Sequence, residues 1–381
     1  MKKALQVASV ASMIDQFNME NIKILQDLGY TVDVAANFDF GNTSSKKRVS
    51  EFKNELKDMN ISINNLLFDR KIFNISNFRV YKQLKNLIEE NDYDIIHCHS
   101  PIGGVITRLA ARKARKGGIR VIYTAHGFHF FKGSSFKNWI LFYPIEKYLS
   151  KYTDIIITIN KEDFNLAKRK FKSSVIKYVP GIGIDTNKIN SIKLDKIKKR
   201  NELNLSSDAV VLFSVGELNK NKNHEIIIRA LSKIKNKNIY YIICGQGELE
   251  GYLKNLICEL KLEDQVRLLG YRSDIYEINK ISDIFIFPSL REGLSVALME
   301  AMAAGLPVIC SRIRGNVDLI HNNKGGYICN PKSVEEYSTI INKLVNEDKL
   351  RYNMGQYNRK FIEKFNVNVV RESMEKVYLG K

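Results

Sequence analysis

IFIFPSLREGLSVALMEAMAAGLPVIC, residues Ile284–Cys310, decides how the chain folds. Ile284–Phe287 is short, β-branched and aromatic, and apolar at every position, as a strand buried on both faces must be. Pro288 and Gly293 punctuate the loop that follows. Ser295 stands where a helix N-cap belongs, Gly305 where a helix ends, and Pro307 just beyond it. Val308–Cys310 resumes the strand pattern. The helix between them is apolar almost all round and is expected to be buried, with Glu300 its only charged residue.

The same rhythm extends along the chain. Strand-like runs are expected at Leu5–Val10, Thr31–Ala35, Ile95–His97, Val121–Thr124 and Ile155–Ile159 in the first half. In the second they are expected at Val210–Val215, Tyr240–Cys244, Val266–Leu269, Ile284–Phe287 and Val308–Cys310. Apolar runs separated by helical patterns predict parallel sheets in an α/β fold. The rhythm pauses at Pro180-Gly181-Ile182-Gly183, before a lysine-rich helical segment, Lys188–Asn204. This predicts two Rossmann-like domains, 1–180 and 181–360, and a terminal helix in 361–381, within a helical stretch Tyr357–Leu379.

Composition narrows the class. The 381 residues are 44% hydrophobic and 27% charged, an ordinary globular profile. A net charge of +19 points to an anionic partner or to a Lys/Asn/Ile-rich composition set by an AT-rich genome. The five cysteines form no CxxC pair, which favours buried reduced thiols over a disulfide framework or zinc site. The opening MKKALQVASVASMI imitates a leader but reads as a first strand, because a helix, Met19–Leu28, and a strand follow at once.

In such sheets ligands bind beyond the carboxyl ends of the strands. After Val215 comes Gly216-Glu217-Leu218-Asn219-Lys220-Asn221-Lys222-Asn223-His224, with glycine for a tight turn and lysines before a helix N-terminus, a combination suited to phosphate. Gly245-Gln246-Gly247-Glu248 and Gly270-Tyr271-Arg272-Ser273-Asp274 follow the next two runs. Glu300 needs hydrogen-bond donors, which ribose hydroxyls or a neighbouring loop can supply. Glu292 precedes its helix, where free amides favour an anion-binding loop. In the first half, Ala125-His126-Gly127 and Cys98-His99-Ser100 end adjacent strands. No HxxxH or DxD pattern marks a metal site.

EGLSVALMEAMAAGLPVICS, with seven residues between Glu292 and Glu300, resembles the signature of the large retaining glycosyltransferase family. VGELNKNKNH, CGQGE, LGYRSDI, FPSLREG and RGNVDLI follow in that family's order. DYDIIHCHSPIGGVITRLAARKA and VIYTAHGFHFF resemble members that build capsule and exopolysaccharide. The resemblance implies a GT-B fold, two Rossmann-like domains with parallel sheets facing a central cleft. It implies an acceptor-binding first domain, a nucleotide-sugar-binding second domain, and a terminal helix returning to the first. It further implies metal-independent transfer of a hexosyl or N-acetylhexosaminyl group, with UDP favoured by analogy, to a polyprenyl-diphosphate-linked acceptor. No cofactor is implied.

Carried over by residue, Lys222 contacts the diphosphate, with Gly216, Glu217, Gly245 and Gly247 around it. Tyr271 and Arg272 line the base. Glu300 binds the ribose, and Glu292 with the backbone of Gly293, Leu294 and Ser295 holds donor sugar and phosphate. His126 meets the sugar near its reacting carbon, and Ser9, His99 and Ser100 join it on the acceptor side. Many members have arginine where Glu217 stands and glycines where Ser9–Met13 run.

From Ile95 to Ile145 there is no acidic residue but eight cations: Arg108, Arg112, Lys113, Arg115, Lys116, Arg120, Lys132 and Lys137. Phe128, Phe130, Phe131, Phe136, Trp139, Phe142 and Tyr143 accompany them. Basic plus aromatic predicts either a face resting on anionic lipid or an aromatic core beneath a solvated helix. The expected location is cytoplasmic, peripheral on the inner face of the membrane. A nucleotide-sugar 2-epimerase of similar fold is an alternative. A nucleic-acid-binding protein leaves Glu292 and Glu300 unexplained and has no reader module here.

Overall fold

The computed structural model describes residues 2–69 and 74–381. The chain divides into two compact units, residues 1–182 with 368–381, and residues 183–367.

In the first unit, β1 (Lys2–Val10), β2 (Tyr30–Asn37), β3 (Ser62–Asn65), β4 (Ile95–His99), β5 (Arg120–Ala125), β6 (Ile155–Thr158) and β7 (Val175–Tyr178) form one sheet in the order β3-β2-β1-β4-β5-β6-β7. Every pairing is parallel. Along β1, Ala4 and Ala8 face one core and Leu5 and Val7 the other. Helix Val367–Leu379 closes the first core with Val370, Met374, Val377 and Tyr378.

In the second unit, β8 (Val210–Val215), β9 (Ile239–Cys244), β10 (Val266–Gly270), β11 (Ile284–Phe287), β12 (Val308–Ser311) and β13 (Gly326–Cys329) run in the order β10-β9-β8-β11-β12-β13, again all parallel. Phe285 and Phe287 enter one core and Ile284 and Ile286 the other. Helix Val296–Ala304 lies in the first of these cores. The Ser295 hydroxyl accepts from the Leu298 amide, and Gly305 ends the helix at φ 83°.

Three strands escape the sequence reading: β3 (SINN), β7 (VIKY) and β13 (GYIC). Each is a sheet edge. β3 and β7 are only partly covered, so they lack the continuous apolar signal of the central strands. The lysine-rich segment Lys188–Asn204 is not one helix. Helices Thr186–Ser191 and Lys196–Glu202 occupy the region, with Asp185 and Asp195 accepting amide hydrogen bonds at their N-caps. Tyr357–Leu379 is likewise broken: helix Asp348–Ile362 ends, a single 3-10 turn intervenes, and helix Val367–Leu379 begins. The opening Met19–Leu28 helix is preceded by a further helix, Ala11–Phe17.

The basic stretch needs correction. Arg108 is fully buried rather than surface-facing. Its Nη1 lies 2.9 Å from Glu146, its Nε donates to the Gly104 carbonyl at 2.8 Å, and its guanidinium stacks 3.9 Å from the Tyr123 ring centre. Arg115 pairs with Asp154, and Arg120 donates to the Tyr378 carbonyl. Phe128 and Phe130 are core residues.

A buried ion pair is far harder to break than to replace. Arg108→Ala is therefore expected to cost about 3–5 kcal/mol in urea unfolding, and Arg108→Met with Glu146→Leu much less. Equal losses in the single and double variants would contradict this account.

Candidate functional site

In the second unit two loops meet at the carboxyl ends of β8 and β11. Gly245 and Gly247 make the first loop possible. A Cβ on Gly245 would sit 1.9 Å from the Gly216 carbonyl, and one on Gly247 would sit 2.5 Å from that of Leu218. The resulting loop is clamped to the second. Asn221 donates to the Arg291 carbonyl at 3.0 Å and accepts from the Leu290 amide through its own carbonyl at 2.7 Å. Asn223 donates to the carbonyls of Pro288 and Pro331.

The clamp sets Lys222 against Glu292, with Nζ 2.8 Å from Oε1, both half-buried. The Lys222 ammonium also lies 5.0 Å from the Phe287 ring centre. Gly216 lets the lysine lie across the strand end, since a Cβ there would come within 2.9 Å of its side chain. Arg314, buried, donates from Nε to the Glu292 carbonyl at 3.3 Å. Glu292 thus lies beside two cations and just before the N-terminus of helix Val296–Ala304, where amides and dipole favour an anion. Gly293 packs against Gly315, where a Cβ would meet the Gly293 carbonyl at 2.3 Å. Leu294 is partly buried against the core. Glu217 is exposed and takes a hydrogen bond from Asn219, 2.9 Å away.

Glu300 points elsewhere. Burial pushes its carboxyl up to about 7, against the opposing pull of a Tyr276 hydrogen bond and the charge of Lys188. One hydroxyl and a nearby ammonium leave the carboxylate short of donors. Tyr271 is 77% exposed, so its ring is open to a ligand. Arg272 is held by Asp274 at 2.8 and 2.5 Å. Asn221, Asn223, Arg314, Tyr276 and Lys188 were not singled out from the sequence. Three of them lie in the quoted motifs VGELNKNKNH and RGNVDLI, but the contacts of Asn221 and Asn223 join segments 65–108 residues apart, and that of Arg314 spans 22.

In the first unit the polar strand ends form two hydrogen-bonded groups. Ser9 and Ser100 hydroxyls lie 2.7 Å apart, and the Ser9 hydroxyl accepts from the Gly103 amide, so both are engaged within the protein. His99, expected to face an acceptor, is fully buried. Its Nε2 lies 3.0 Å from Oε1 of Gln6 and its Nδ1 3.3 Å from Nε2 of His126. Gln6 Nε2 donates to the Tyr378 hydroxyl, which lies 2.8 Å from Nδ1 of His97. His97 Nε2 lies 2.8 Å from the Thr124 hydroxyl.

An amide oxygen only accepts, so His99 donates from Nε2 and accepts at Nδ1. His126 therefore donates from Nε2 and keeps a bare Nδ1. Burial holds both rings neutral: His126 falls to about 4, and His99 lies well below the ordinary range. Nitrogen-15 NMR at pH 7 should show a neutral His126 protonated at Nε2. An imidazolium, or a proton on Nδ1, would refute this direction of the chain.

The Glu300 shift has a stability consequence. A carboxyl raised above its unfolded value stabilises the fold fully below that value and loses the contribution as pH rises through the folded one. Glu300→Gln should therefore match wild type near pH 4 and be more stable at pH 8, by on the order of 1–3 kcal/mol. Identical pH–stability curves would remove the buried-carboxylate account.

Residues 195–361 match the family described as "Glycosyl transferases group 1", and residues 6–160 the one described as "Glycosyl transferase 4-like". "Putative glycosyltransferase EpsD" of Bacillus subtilis (strain 168) is 34% identical, over 99% of this chain and 96% of the relative. The "UDP-Gal:alpha-D-GlcNAc-diphosphoundecaprenol alpha-1,3-galactosyltransferase" of Escherichia coli is 30% identical over 78% of each chain. The Anabaena protein Alr3699/HepE, solved in complex with UDP, superposes with a TM-score of 0.80 at 19% identity over 100% of both chains, a likeness of fold. Two parallel-sheet α/β units with such neighbours make this a GT-B fold. The chain belongs to the group 1 glycosyltransferases.

Proposed function

We propose that the protein transfers a sugar, with retention at the anomeric carbon, from a UDP-sugar to a polyprenyl-diphosphate-linked acceptor of a growing cell-surface polysaccharide. The observation that carries this reading is the Lys222–Glu292 pair before the N-terminus of a helix that also bears the under-compensated Glu300. A nucleoside diphosphate offers this arrangement what it needs: phosphate oxygens for Lys222 and the helix amides, and ribose hydroxyls for Glu300.

In this reading the acceptor hydroxyl attacks the anomeric carbon on the face that the diphosphate leaves. The carbon–oxygen bond to the diphosphate breaks, and a departing phosphate oxygen takes the hydroxyl proton. The cost lies in negative charge gathering on the leaving group, which Lys222 and the amides after Glu292 stabilise in place of a metal ion. Glu292 holds Lys222 and, with Gly293, Leu294 and Ser295, contacts the donor sugar. The exposed Tyr271 ring faces the base. His126, with a bare Nδ1, accepts from a sugar hydroxyl and neither attacks nor protonates. Residues 1–180 serve the acceptor and 181–360 the donor, with a terminal helix in 361–381.

No helix among the described residues is long and apolar enough to cross a membrane. For its acceptor's sake the reading places the protein in the cytoplasm, against the inner face of an anionic membrane that carries the acceptor. The Escherichia coli relative named above, by its name, uses a diphosphoundecaprenol acceptor, which supports this choice.

Lys222→Ala should lower kcat by about 10²-fold, with a smaller rise in KM for the donor. EDTA should leave wild-type turnover unchanged. The measurements are thermal stabilisation by a panel of sugar nucleotides and turnover on a polyprenyl-diphosphate sugar. An unchanged kcat in a folded Lys222→Ala protein, or activity lost to EDTA and restored by magnesium, would defeat the mechanism.

A further inference from the structure

One side of the first unit carries an apolar groove of about 830 Å³ that none of the chemistry above uses. Ile75, Phe78, Val105, Leu109, Pro144 and Tyr148 help to line it, from helices Ile75–Glu89, Pro101–Ala110 and Phe136–Leu149. None of its described lining residues is charged. Its rim is unusually open. Ile75 is 87% exposed and Phe78 60%, and beyond the lining, on helix Phe136–Leu149, Phe136 is 78% and Ile140 61% exposed. Single exposed apolar residues are ordinary, but a continuous patch marks a contact surface.

The charge around this patch has one sign over most of its edge. Helix Phe136–Leu149 exposes Phe136, Ile140, Leu141 and Pro144 together with Lys137 and Lys147. Its sole carboxylate, Glu146, is turned inward against Arg108. Lys82 lies over the Phe78 ring at 4.7 Å and Lys151 over Tyr148 at 3.9 Å, so ammonium groups cap the aromatic faces at the rim. Arg112, Lys113 and Lys116 stand exposed just beyond helix Pro101–Ala110. The carboxylate of Asp69 is engaged by Asn74, and Glu89 by Lys85 at the far end of its helix. An uncharged apolar floor edged by lysines complements a bilayer with an anionic surface: hydrocarbon for the floor, phosphate for the rim.

We infer that this face enters an anionic lipid bilayer. Ile75, Phe78, Phe136 and Ile140 pass into the hydrocarbon, an acyl chain fills the groove, and Lys82, Lys137, Lys147 and Lys151 stay at headgroup level. The inference deepens the reading of a membrane-borne acceptor, and it moves the contact from the basic segment as a whole to three named helices. Its test needs neither donor nor acceptor, so failure of the proposed reaction and failure of this contact are told apart.

Trp139, the chain's single tryptophan, lies on helix Phe136–Leu149, its ring 5.5 Å from that of Phe130. It is a native probe of depth. Vesicles of phosphatidylglycerol and phosphatidylcholine brominated along the acyl chains should quench its fluorescence, whereas unbrominated vesicles should not. Phe78→Ser, Phe136→Ser and Ile140→Ser together should lower vesicle binding by at least about tenfold. Helical circular dichroism reports whether that variant folds, and the wild-type quenching stands by itself if it does not. Three results would overturn the inference. Binding without bromine quenching would mean surface adsorption alone. Quenching only when the vesicles contain polyprenyl phosphate would assign the groove to the acceptor's chain. A concentration-dependent dimer abolished by the same substitutions would assign the face to a second copy.

Discussion

Each sheet is buried on both faces, and that constraint orders everything else. Ile284 and Ile286 serve one core while Phe285 and Phe287 serve the other, and the alternation repeats along β1. Strands so enclosed leave little room for polar groups along their length, because a buried polar atom must find a partner. Polar side chains collect at the carboxyl ends, where the chain leaves the sheet. There the loops approach at backbone contact, which is why Gly245 and Gly247 have no side chains to clash with Gly216 and Leu218. Asn221 and Asn223 then tie the loop after β8 to the loop after β11, and only through that tie do Lys222 and Glu292 meet.

Two buried carboxylates receive opposite treatment. Glu146 is ion-paired with Arg108, Oε2 2.9 Å from Nη1, and accepts a bond from the Tyr123 hydroxyl. It belongs to the architecture of the first unit and asks nothing of a ligand. Glu300 has one hydroxyl and the charge of Lys188, and its raised titration point records the shortfall. A carboxylate left short of donors in an otherwise apolar helix is a cost to the empty protein that a ligand bearing hydroxyls can offset. The histidine chain is a third arrangement. Its members are buried and neutral, and their order from Gln6 to His126 directs lone pairs rather than stabilising charge.

Much of this was legible in the chain itself. The central strands read correctly because their apolar runs are continuous. Helix Val296–Ala304 read correctly because Ser295 and Gly305 cap it by local geometry. The edge strands β3 and β7 did not, since they are only partly covered and need no unbroken apolar run, and the buried four-residue β13 was missed as well. The lysine-rich segment looked like one helix because the capping roles of Asp185 and Asp195 were passed over. Arg108 was counted with the surface cations because its partner, Glu146, lies 38 residues away, just beyond the acid-free stretch.

The sequence by itself determined the alternating α/β order, the buried helix with its lone glutamate, and the loops in which polar chemistry would gather. These follow from local periodicity and capping, which act over a few residues. Only the tertiary structure decided which polar groups touch: Lys222 with Glu292, His126 with His99 and, through Gln6, with Tyr378, and Arg108 with Glu146 rather than with solvent. Those contacts join residues 27 to 372 positions apart. Their partners are chosen by strand order and by packing across the sheet, which no local pattern encodes.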